Sequence, residues 1–366
     1  MHVLFVSKPI APPFHDGTRC FVRDLATHLP SVSPTVLAPP HTPPPGPGVS
    51  VEPVYAAPGS FAPALADNAR VLLRLLLGSR HDLWHFVFAP NPSSSAAARL
   101  AVSVRRVPAL QTVPSVPRTF EGVHRLLFGN LVVCQSRSTR DRFVAAGAPP
   151  ARLEVIPPPL SAPESLSEEE RRSALEYLGI PRDHGPLLVY PGDLEFSSGA
   201  QAVAQAAPTL LAEHPEATVI FACRPKTPRA RKIERLLRTE LAPLGRRVIF
   251  AGQVPSLPAL LSSCRAVLFP VDDLYGKVDL PLSLLEAQAL GVPVIALQTG
   301  PLQELEGAVP LKSPSDLARV CGELLRDEKA WQQHRDAGQA AVKKNHNPSQ
   351  IAAAYEELYR KIARQP

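Results

Sequence analysis

The feature that most constrains the fold is an alternation of short apolar runs with segments of helical periodicity, repeated twice along the 366 residues. A parallel sheet needs a crossover after each strand, usually a helix, so this alternation predicts an α/β fold with parallel sheets. Six strands are predicted in each half, near 2–7, 34–38, 83–88, 108–113, 131–135 and 153–156, then near 187–190, 218–222, 248–251, 266–270, 293–297 and 308–311.

The length predicts two domains, because a single core rarely grows this large. Residues 157–172 combine proline, serine and acidic residues, which is typical of a linker that runs into a helix cap. We therefore expect an N-terminal domain over 1–160, a C-terminal domain over 161–345 and an amphipathic helix in 346–366 that crosses back to the N-terminal domain. The proline-rich stretch 39–53 is predicted to be an exposed loop, with a polyproline ligand for a partner as the alternative.

Charge is divided unequally between the two halves. Residues 1–160 hold 15 Lys and Arg against 8 Asp and Glu, whereas residues 161–366 hold 24 against 25. Either the first half meets an anionic partner, such as a phosphorylated lipid carrier or a membrane surface, or its arginines are simply scattered over the surface. With no bilayer-length apolar run and no leader, we expect a cytoplasmic protein, peripheral at the inner face of the membrane if the first alternative holds.

Two apolar segments flanked by arginines also have two possible interpretations. Each is either a helix face that rests on a membrane or a core helix with solvated arginines. The arginines concerned are Arg70, Arg74 and Arg80 around VLLRLLLGS, and Arg99, Arg105 and Arg106 around LAVSV.

Other classes of site are disfavoured. The five cysteines include no CxxC pair, so neither a disulfide framework nor a zinc site is indicated, and buried free thiols are expected. Aromatic residues make up only 6% and are not interleaved with a basic stripe, which argues against nucleic-acid binding. Asp272 and Asp273 follow a predicted strand and are either metal ligands or turn residues, and we favour the turn.

Ligands of open parallel sheets bind beyond the carboxyl ends of the strands, so the loops there are the candidate sites. The loop 7–19 leads into a helix that Asp16 or Thr18 would cap, with Gly17 at the turn. Amides at such a helix N-terminus favour phosphates or sugar hydroxyls, although any strand-to-helix turn also favours a glycine.

The segment 276–297, GKVDLPLSLLEAQALGVPVIAL, is the most informative. Pro281 suits a first helical turn and Gly291 ends a short helix before the next strand. Glu286 then lies on that helix among apolar residues at the mouth of the sheet. A carboxylate in this setting needs a hydrogen-bonding partner, which ligand hydroxyls would supply.

As a set, these motifs resemble the retaining glycosyltransferases of family 4. The matching stretches are VLFVSKPIAPPFHDGT, DLWHFVFAPNP, VIPPPL, VIFAGQVP, LFPVDD and LLEAQALGVPVIAL, the last fitting the family's EAxAxGxPVI. The resemblance implies a GT-B fold, with two facing Rossmann-like doubly wound domains around a central cleft. It also implies an acceptor in the first domain, a nucleotide-sugar substrate in the second, and neither a metal nor a separate cofactor.

The chain departs from the family at four positions. The family's first glutamate falls at Val278, beside Asp279, which we expect to approach the same sugar hydroxyls. Asp193 and Ser198 stand where the family often has an arginine and a lysine for the donor diphosphate. A histidine near the reacting centre is replaced by Val87.

The resemblance and the loop positions together define a predicted site. Glu286, which would bind the ribose, and Asp279 are the candidate catalytic residues. The predicted donor-binding residues are Gly17, Gly192, Arg224, Lys226, Lys277, Leu280, Pro281, Leu282 and Glu286. The predicted acceptor-side residues are Asp16, His85 and Asn91, with an internal strand position as the favoured alternative for His85.

The resemblance implies a hexosyltransferase-like enzyme of polysaccharide biosynthesis. It would move a sugar from a nucleotide-sugar to a glycan, a lipid carrier or another acceptor, with retention. The alternative is a catalytically silent GT-B protein that acts as a binding or scaffold component, because several usual active-site positions are altered. A nucleotide-sugar epimerase is a third possibility, against which Glu286 in its EAxAxG setting argues.

Overall fold

A computed structural model describes residues 1–57, 63–161 and 166–364. Part of the predicted linker, 162–165, and the last two residues of the predicted closing helix segment lie outside the described residues. Contacts divide the chain into two compact units. Unit 1 comprises Met1–Ser161, Tyr275–Leu280 and His346–Pro366, and unit 2 comprises Ala162–Leu274 and Pro281–Asn345.

Unit 1 contains a seven-stranded parallel sheet. Its strands are β1 (His2–Val6), β2 (Ser33–Ala38), β3 (Ser50–Pro53), β4 (Leu83–Val87), β5 (Ala109–Val113), β6 (Leu131–Cys134) and β7 (Leu153–Val155). They lie in the order β3-β2-β1-β4-β5-β6-β7. The connecting helices are α1 (Gly17–His28), α2 (Leu65–Leu77), α3 (Pro92–Arg105), α4 (Val123–Leu126) and α5 (Arg137–Ala145).

Unit 2 contains a six-stranded parallel sheet. Its strands are β8 (Leu187–Tyr190), β9 (Thr218–Phe221), β10 (Val248–Phe250), β11 (Ala266–Phe269), β12 (Val294–Leu297) and β13 (Val309–Leu311), in the order β10-β9-β8-β11-β12-β13. Its helices are α6 (Glu168–Tyr177), α7 (Gly199–Glu213), α8 (Pro228–Glu240), α9 (Leu257–Ser262), α10 (Leu282–Ala289), α11 (Leu317–Arg326) and α12 (Glu328–Asn345). The closing helix α13 (Pro348–Ala363) belongs to unit 1.

Alternation along β1 explains how unit 1 has two cores. Val3 and Phe5 point to the face covered by α1 and α13, whereas Leu4 and Val6 point to the face covered by α2 and α3. Both sets are almost fully buried. The sheet is thus covered on both sides, as a parallel sheet requires.

All twelve predicted strands are confirmed, and the two-sheet α/β fold is confirmed with them. The prediction of a loop throughout 39–53 is wrong at its end, where residues 50–53 form β3. This strand pairs only with β2, at the edge of the sheet. An edge strand needs donors on one side only, so a proline at its last position is tolerated.

Each sheet has one point where the chain order reverses direction. In unit 1 this switch point lies between β1 and β4, and in unit 2 it lies between β8 and β11. All five cysteines are buried, as predicted. Within the described ranges, none of the helices has both the length and the apolar character that a membrane crossing requires.

Candidate functional site

The switch point of unit 2 is where a ligand of an open α/β sheet is expected. Two loops leave the sheet there, one after β8 and one after β11, and the second leads to α10. A hydrogen bond joins these loops, because the Ser198 amide donates to Asp272 Oδ1 at 3.2 Å. Asp272 therefore fixes the loop after β11 against the loop after β8.

The loop after β8 folds over Tyr190, which is fully buried. A side chain at Gly192 would collide with the Tyr190 ring, and a Cβ at Gly199 would come within 2.7 Å of the Tyr190 hydroxyl oxygen. The hydroxyl donates to the Asp193 carbonyl at 3.0 Å. The glycine at 192 is therefore explained by packing on Tyr190.

Asp193 and Ser198, where the resemblance implies cations, have structural roles in their loop. Asp193 is fully buried, and its Oδ1 accepts a hydrogen bond from the Phe196 amide at 2.7 Å. Ser198 precedes the first residue of α7. A short polar side chain that accepts from a nearby amide stabilises the turn locally, so the substitution of a carboxylate for a cation is accommodated here.

Glu195 is a buried carboxylate that sequence reasoning missed. Its Oε1 accepts hydrogen bonds from the amides of Lys226 at 3.0 Å and Thr227 at 2.9 Å, and only 7% of the residue is exposed. Thr227 caps α8, so the carboxylate lies at the positive end of that helix. The only signal in the sequence was an acidic residue in a glycine- and serine-rich loop.

The two predicted cations of the loop after β9 differ in their surroundings. The Lys226 ammonium lies 5.4 Å from the centre of the Phe196 ring, so it is tied to the loop after β8. Arg224 is half-buried. Over the part of the chain that the structure describes, its guanidinium forms no hydrogen bond or ion pair.

The helix α10 forms where Pro281 and Gly291 predict it. Pro281 precedes its first residue, and Gly291 follows its end with a φ of 76°. The side chains of Leu280, Pro281 and Leu282 are buried, so only their backbone could reach a ligand. Glu286 is half-buried between Leu285 and Ala287, both of which are fully buried.

In unit 1, Asp16 is the cap of α1, which confirms one of the two predicted caps. Its Oδ1 accepts from the Thr18 amide at 3.0 Å, and its Oδ2 lies 2.9 Å from the Lys8 ammonium. A Cβ at Gly17 would come within 3.1 Å of Val278 Cγ1. The small residue at 17 therefore makes room for the side chain that stands in place of the family's glutamate.

Asp279 is held by unit 1. It is fully buried, its carboxylate accepts from Ser136 Oγ at 2.7 Å, and its amide donates to the Pro114 carbonyl at 2.8 Å. Ser136, which sequence reasoning missed, also caps α5 by accepting from the Thr139 amide at 3.0 Å. These contacts fix the segment Tyr275–Leu280, which carries the half-buried Lys277, at the carboxyl ends of β5 and β6.

His85 lies inside β4 and is fully buried. Its Nδ1 is 2.7 Å from the Tyr359 hydroxyl, and its Nε2 is 2.7 Å from Thr112 Oγ1. Burial lowers the pKa of His85 to about 3, so the ring is neutral. His85 therefore occupies an internal strand position, which was the favoured alternative to an acceptor-side role.

Asn91 caps α3, and its Oδ1 accepts from the Ser94 amide at 2.9 Å. The structure thus distributes the predicted residues between the units. Gly192, Arg224, Lys226, Pro281, Leu282 and Glu286 belong to unit 2, whereas Asp16, Gly17, His85, Asn91, Lys277, Asp279 and Leu280 belong to unit 1.

Solved structures with this fold cover nearly the whole chain. HepE of Anabaena, determined with UDP-glucose, aligns with a TM-score of 0.74 at 17% identity, over 99% of this chain and 100% of HepE. A glycosyltransferase of Rickettsia africae aligns with a TM-score of 0.74 at 14% identity, over 100% and 99%. The UDP-forming α,α-trehalose-phosphate synthase of Burkholderia xenovorans, determined with glucose-6-phosphate, gives 0.73 at 14% identity, over 98% and 100%.

One family model matches part of the chain. Residues 185–327 match the model described as Glycosyl transferases group 1, and these residues contain both loops of the unit 2 switch point together with α10. A comparison with curated protein sequences finds no significant match. The chain therefore has the GT-B fold of these glycosyltransferase structures, and its residues 185–327 are similar to the glycosyl transferases group 1 family.

Proposed function

We propose that this protein transfers a glycosyl group from a UDP-sugar, held mainly by unit 2, to a glycan or lipid-linked acceptor, with retention of configuration. The observation that carries the proposal is the position of Glu286 on α10, directly beyond β11 at the switch point of the unit 2 sheet. UDP is favoured as the nucleotide because HepE and the trehalose-phosphate synthase are described with UDP or as UDP-forming.

Donor binding follows from the groups that surround this switch point. The Glu286 carboxylate accepts hydrogen bonds from the ribose hydroxyls. Arg224 is the cation for the diphosphate, since it has no ion-pair partner among the described residues and charge-assisted contacts to phosphate are strong. Lys226 adds positive charge, and the first-turn amides of α10, beyond Pro281, are free to bind anionic oxygens, as at the N-terminus of any helix.

Transfer breaks the bond between the anomeric carbon and the diphosphate oxygen, which leaves with the electron pair as UDP. The new bond forms to an acceptor hydroxyl oxygen, whose proton passes to the departing phosphate on the same face. Such a reaction relies on electrostatic stabilisation of the leaving group rather than on a protein base. It is therefore compatible with Val87 in place of a histidine.

Asp279 has a positioning role in this scheme. Its bonds to Ser136 and to the Pro114 carbonyl fix the backbone around Val278 and Leu280. Gly17 contacts the same segment, and Asp16 holds the turn that precedes it. The acceptor is bound by the unit 1 loops that follow β1 and β4, the second of which carries Asn91.

A specific observation favours a silent binding protein as the second candidate. Asp193 and Ser198 stand where cations are usual, and the described contacts of both are made within the unit 2 loops. Val278 packs against Gly17 instead of offering a carboxylate. A scaffold of polysaccharide assembly would retain the fold while losing these charges.

Titration calorimetry with the full chain separates the two candidates. We expect UDP-glucose or another UDP-sugar to bind, and Glu286→Ala to weaken that binding by about 1 to 3 kcal/mol, the range for losing a hydrogen bond to a charged partner. Glu323→Ala, on the exposed side of α11, is the matched control and should bind like the parent protein.

Two results would contradict the proposal in different ways. Absence of binding to UDP- and GDP-sugars by the folded parent protein would favour the scaffold. Unchanged affinity in a folded Glu286→Ala variant would remove Glu286 from the site while leaving the class of ligand in place.

A further inference from the structure

The outer surface of α2 and α3 is unusually apolar. Eight large hydrophobic side chains are exposed among the described residues, and five of them lie on these two helices. They are Leu65, Leu73 and Leu77 on α2 and Leu100 and Val104 on α3, with exposed fractions of 88%, 56%, 80%, 54% and 60%. These five side chains form the α2–α3 surface.

The helix α2 carries apolar side chains on its outer side as well as on its inner side. Val71 and Leu75 point into the core, whereas Leu73 and Leu77, four residues apart on the opposite side, point outward. A helix on the surface of a globular protein normally carries polar residues on its outer side, and an apolar outer side indicates a further partner.

Both helices cover the same face of the unit 1 sheet, and they lie side by side. Arg105 of α3 donates hydrogen bonds to the carbonyls of Leu76 and Gly78 at the end of α2, the second at 3.0 Å. Leu100 and Val104 are also four residues apart, on the side of α3 opposite the buried Ala98. The exposed side chains of the two helices therefore form one surface.

Positive charge borders this surface. Residues 63–106 contain six arginines and two aspartates, and one of the aspartates, Asp67, is paired with Arg70 at 2.6 Å. Arg80 follows the end of α2 and Arg106 caps the end of α3, and both are exposed. Neither guanidinium forms an ion pair within the described ranges.

We propose that the α2–α3 surface binds peripherally to an anionic lipid bilayer. The leucines enter the boundary between headgroups and acyl chains, while Arg80 and Arg106 contact lipid phosphates, which is the combination that interfacial helices use. The proposal extends the lipid-linked acceptor of the proposed function, because it places unit 1 at the surface where such an acceptor resides.

The charges around the α2–α3 surface favour a bilayer over a second copy of the chain as its partner. A symmetric dimer through this surface would pair it with itself and bring Arg80 and Arg106 towards their own counterparts. Like charges across an interface oppose association. An anionic membrane, by contrast, satisfies the apolar side chains and the arginines together.

Cosedimentation of the full chain with vesicles tests the proposal. We expect binding to vesicles of phosphatidylcholine mixed with phosphatidylglycerol, and weaker binding to phosphatidylcholine alone. The double variant Leu73→Gln with Leu77→Gln should lower the partition coefficient about tenfold or more, because two leucines no longer insert into the bilayer. Arg80→Gln with Arg106→Gln should lower it about tenfold on the anionic vesicles only.

Matched controls come from unit 2. Leu236 on α8 is 60% exposed, and Arg235 beside it is exposed as well. Leu236→Gln and Arg235→Gln should leave vesicle binding unchanged. Equal loss from these controls, no binding by the parent protein, or a parent dimer that the Leu73→Gln and Leu77→Gln changes dissociate would each overturn the proposal.

Nucleotide-sugar binding, measured by calorimetry on the same variants, keeps the two proposals separate. The α2–α3 variants should bind a UDP-sugar like the parent protein. Vesicle binding without any UDP-sugar binding would contradict the proposed donor alone. UDP-sugar binding without vesicle binding would contradict the membrane surface alone.

Discussion

The two units share one architecture but use their buried polar groups differently. In unit 1, His85 and Thr112 contact Tyr359 and Tyr355 of α13, and Ser136 contacts Asp279 of the segment 275–280. In unit 2, the buried Glu195 carboxylate instead accepts from the amides of Lys226 and Thr227, so it joins two loops that leave the same sheet.

The difference follows from how each unit is assembled from the chain. Unit 1 combines three separate stretches, one of which interrupts unit 2 in the sequence and another of which follows it. Apolar packing alone tolerates small shifts of such stretches, whereas satisfied hydrogen bonds in a core specify one arrangement. Buried polar groups of unit 1 thus hold distant segments, whereas the Glu195 carboxylate of unit 2 shapes loops around the switch point.

The largest effect is expected from a change in unit 1, at the buried His85. His85→Leu removes both ring nitrogens and leaves the hydroxyls of Tyr359 and Thr112 buried without this partner. We expect a loss of about 3 kcal/mol in the free energy of unfolding of unit 1. Urea unfolding followed by the fluorescence of Trp84, in a Trp331→Phe background, measures it, because the only two tryptophans lie in different units.

Tyr359→Phe tests the contact between His85 and Tyr359 from the side of α13. It removes one hydroxyl and should cost about 1 kcal/mol. Together with His85→Leu it should cost less than the sum of the two single changes, because both remove the same contact. Strict additivity would show that the contact between His85 and Tyr359 contributes nothing to holding α13.

In unit 2, we expect an effect smaller than that of His85→Leu. Glu195→Ala leaves the amides of Lys226 and Thr227 without their acceptor, which should cost about 2 kcal/mol, the upper range for a helix cap. Glu195→Gln retains an accepting oxygen and should cost less. Trp331 fluorescence in a Trp84→Phe background reports unit 2, and an equal loss reported by Trp84 would contradict the local role of this carboxylate.

The sequence predicted the strands because their signal is local. Each of the twelve is a short run rich in apolar residues, and each is bounded by turn residues. The strand β3 was missed because prolines dominate its surroundings, and only its position at the sheet edge makes it compatible with Pro53. The cap at Asp16 and the ends of α10 were also local, so they could be predicted.

The hydrogen-bond partners of the site residues could not be predicted in this way. His85 and Tyr359 are separated by 274 residues, and Ser136 and Asp279 by 143. Periodicity places a side chain on a face of its own element, but it carries no information about which distant side chain arrives there. Glu286 was predicted because a carboxylate among apolar residues suggested a ligand, and Glu195 was missed because its partners are amides some 30 residues further on.

The smallest predicted effect concerns pH and again separates the units. The pKa of His85 is lowered to about 3 in the folded protein, against 6.5 for an ordinary histidine. As the pH falls below 6.5, the unfolded chain takes up a proton at this residue that the folded protein does not bind. The contribution is therefore complete above pH 6.5 and is lost progressively as the pH falls towards 3.

Between pH 7 and about pH 5.5, this linkage should lower the stability of unit 1 by about 1 kcal/mol. The His85→Gln variant lacks the titrating ring, so its unfolding free energy, followed by Trp84 fluorescence, should depend less on pH by that amount. His124→Gln, which replaces an exposed histidine of unit 1, is the control and should retain the parent dependence. An unchanged pH dependence in His85→Gln would mean that the ring is protonated in the folded protein, and the neutral network that holds α13 would have to be abandoned.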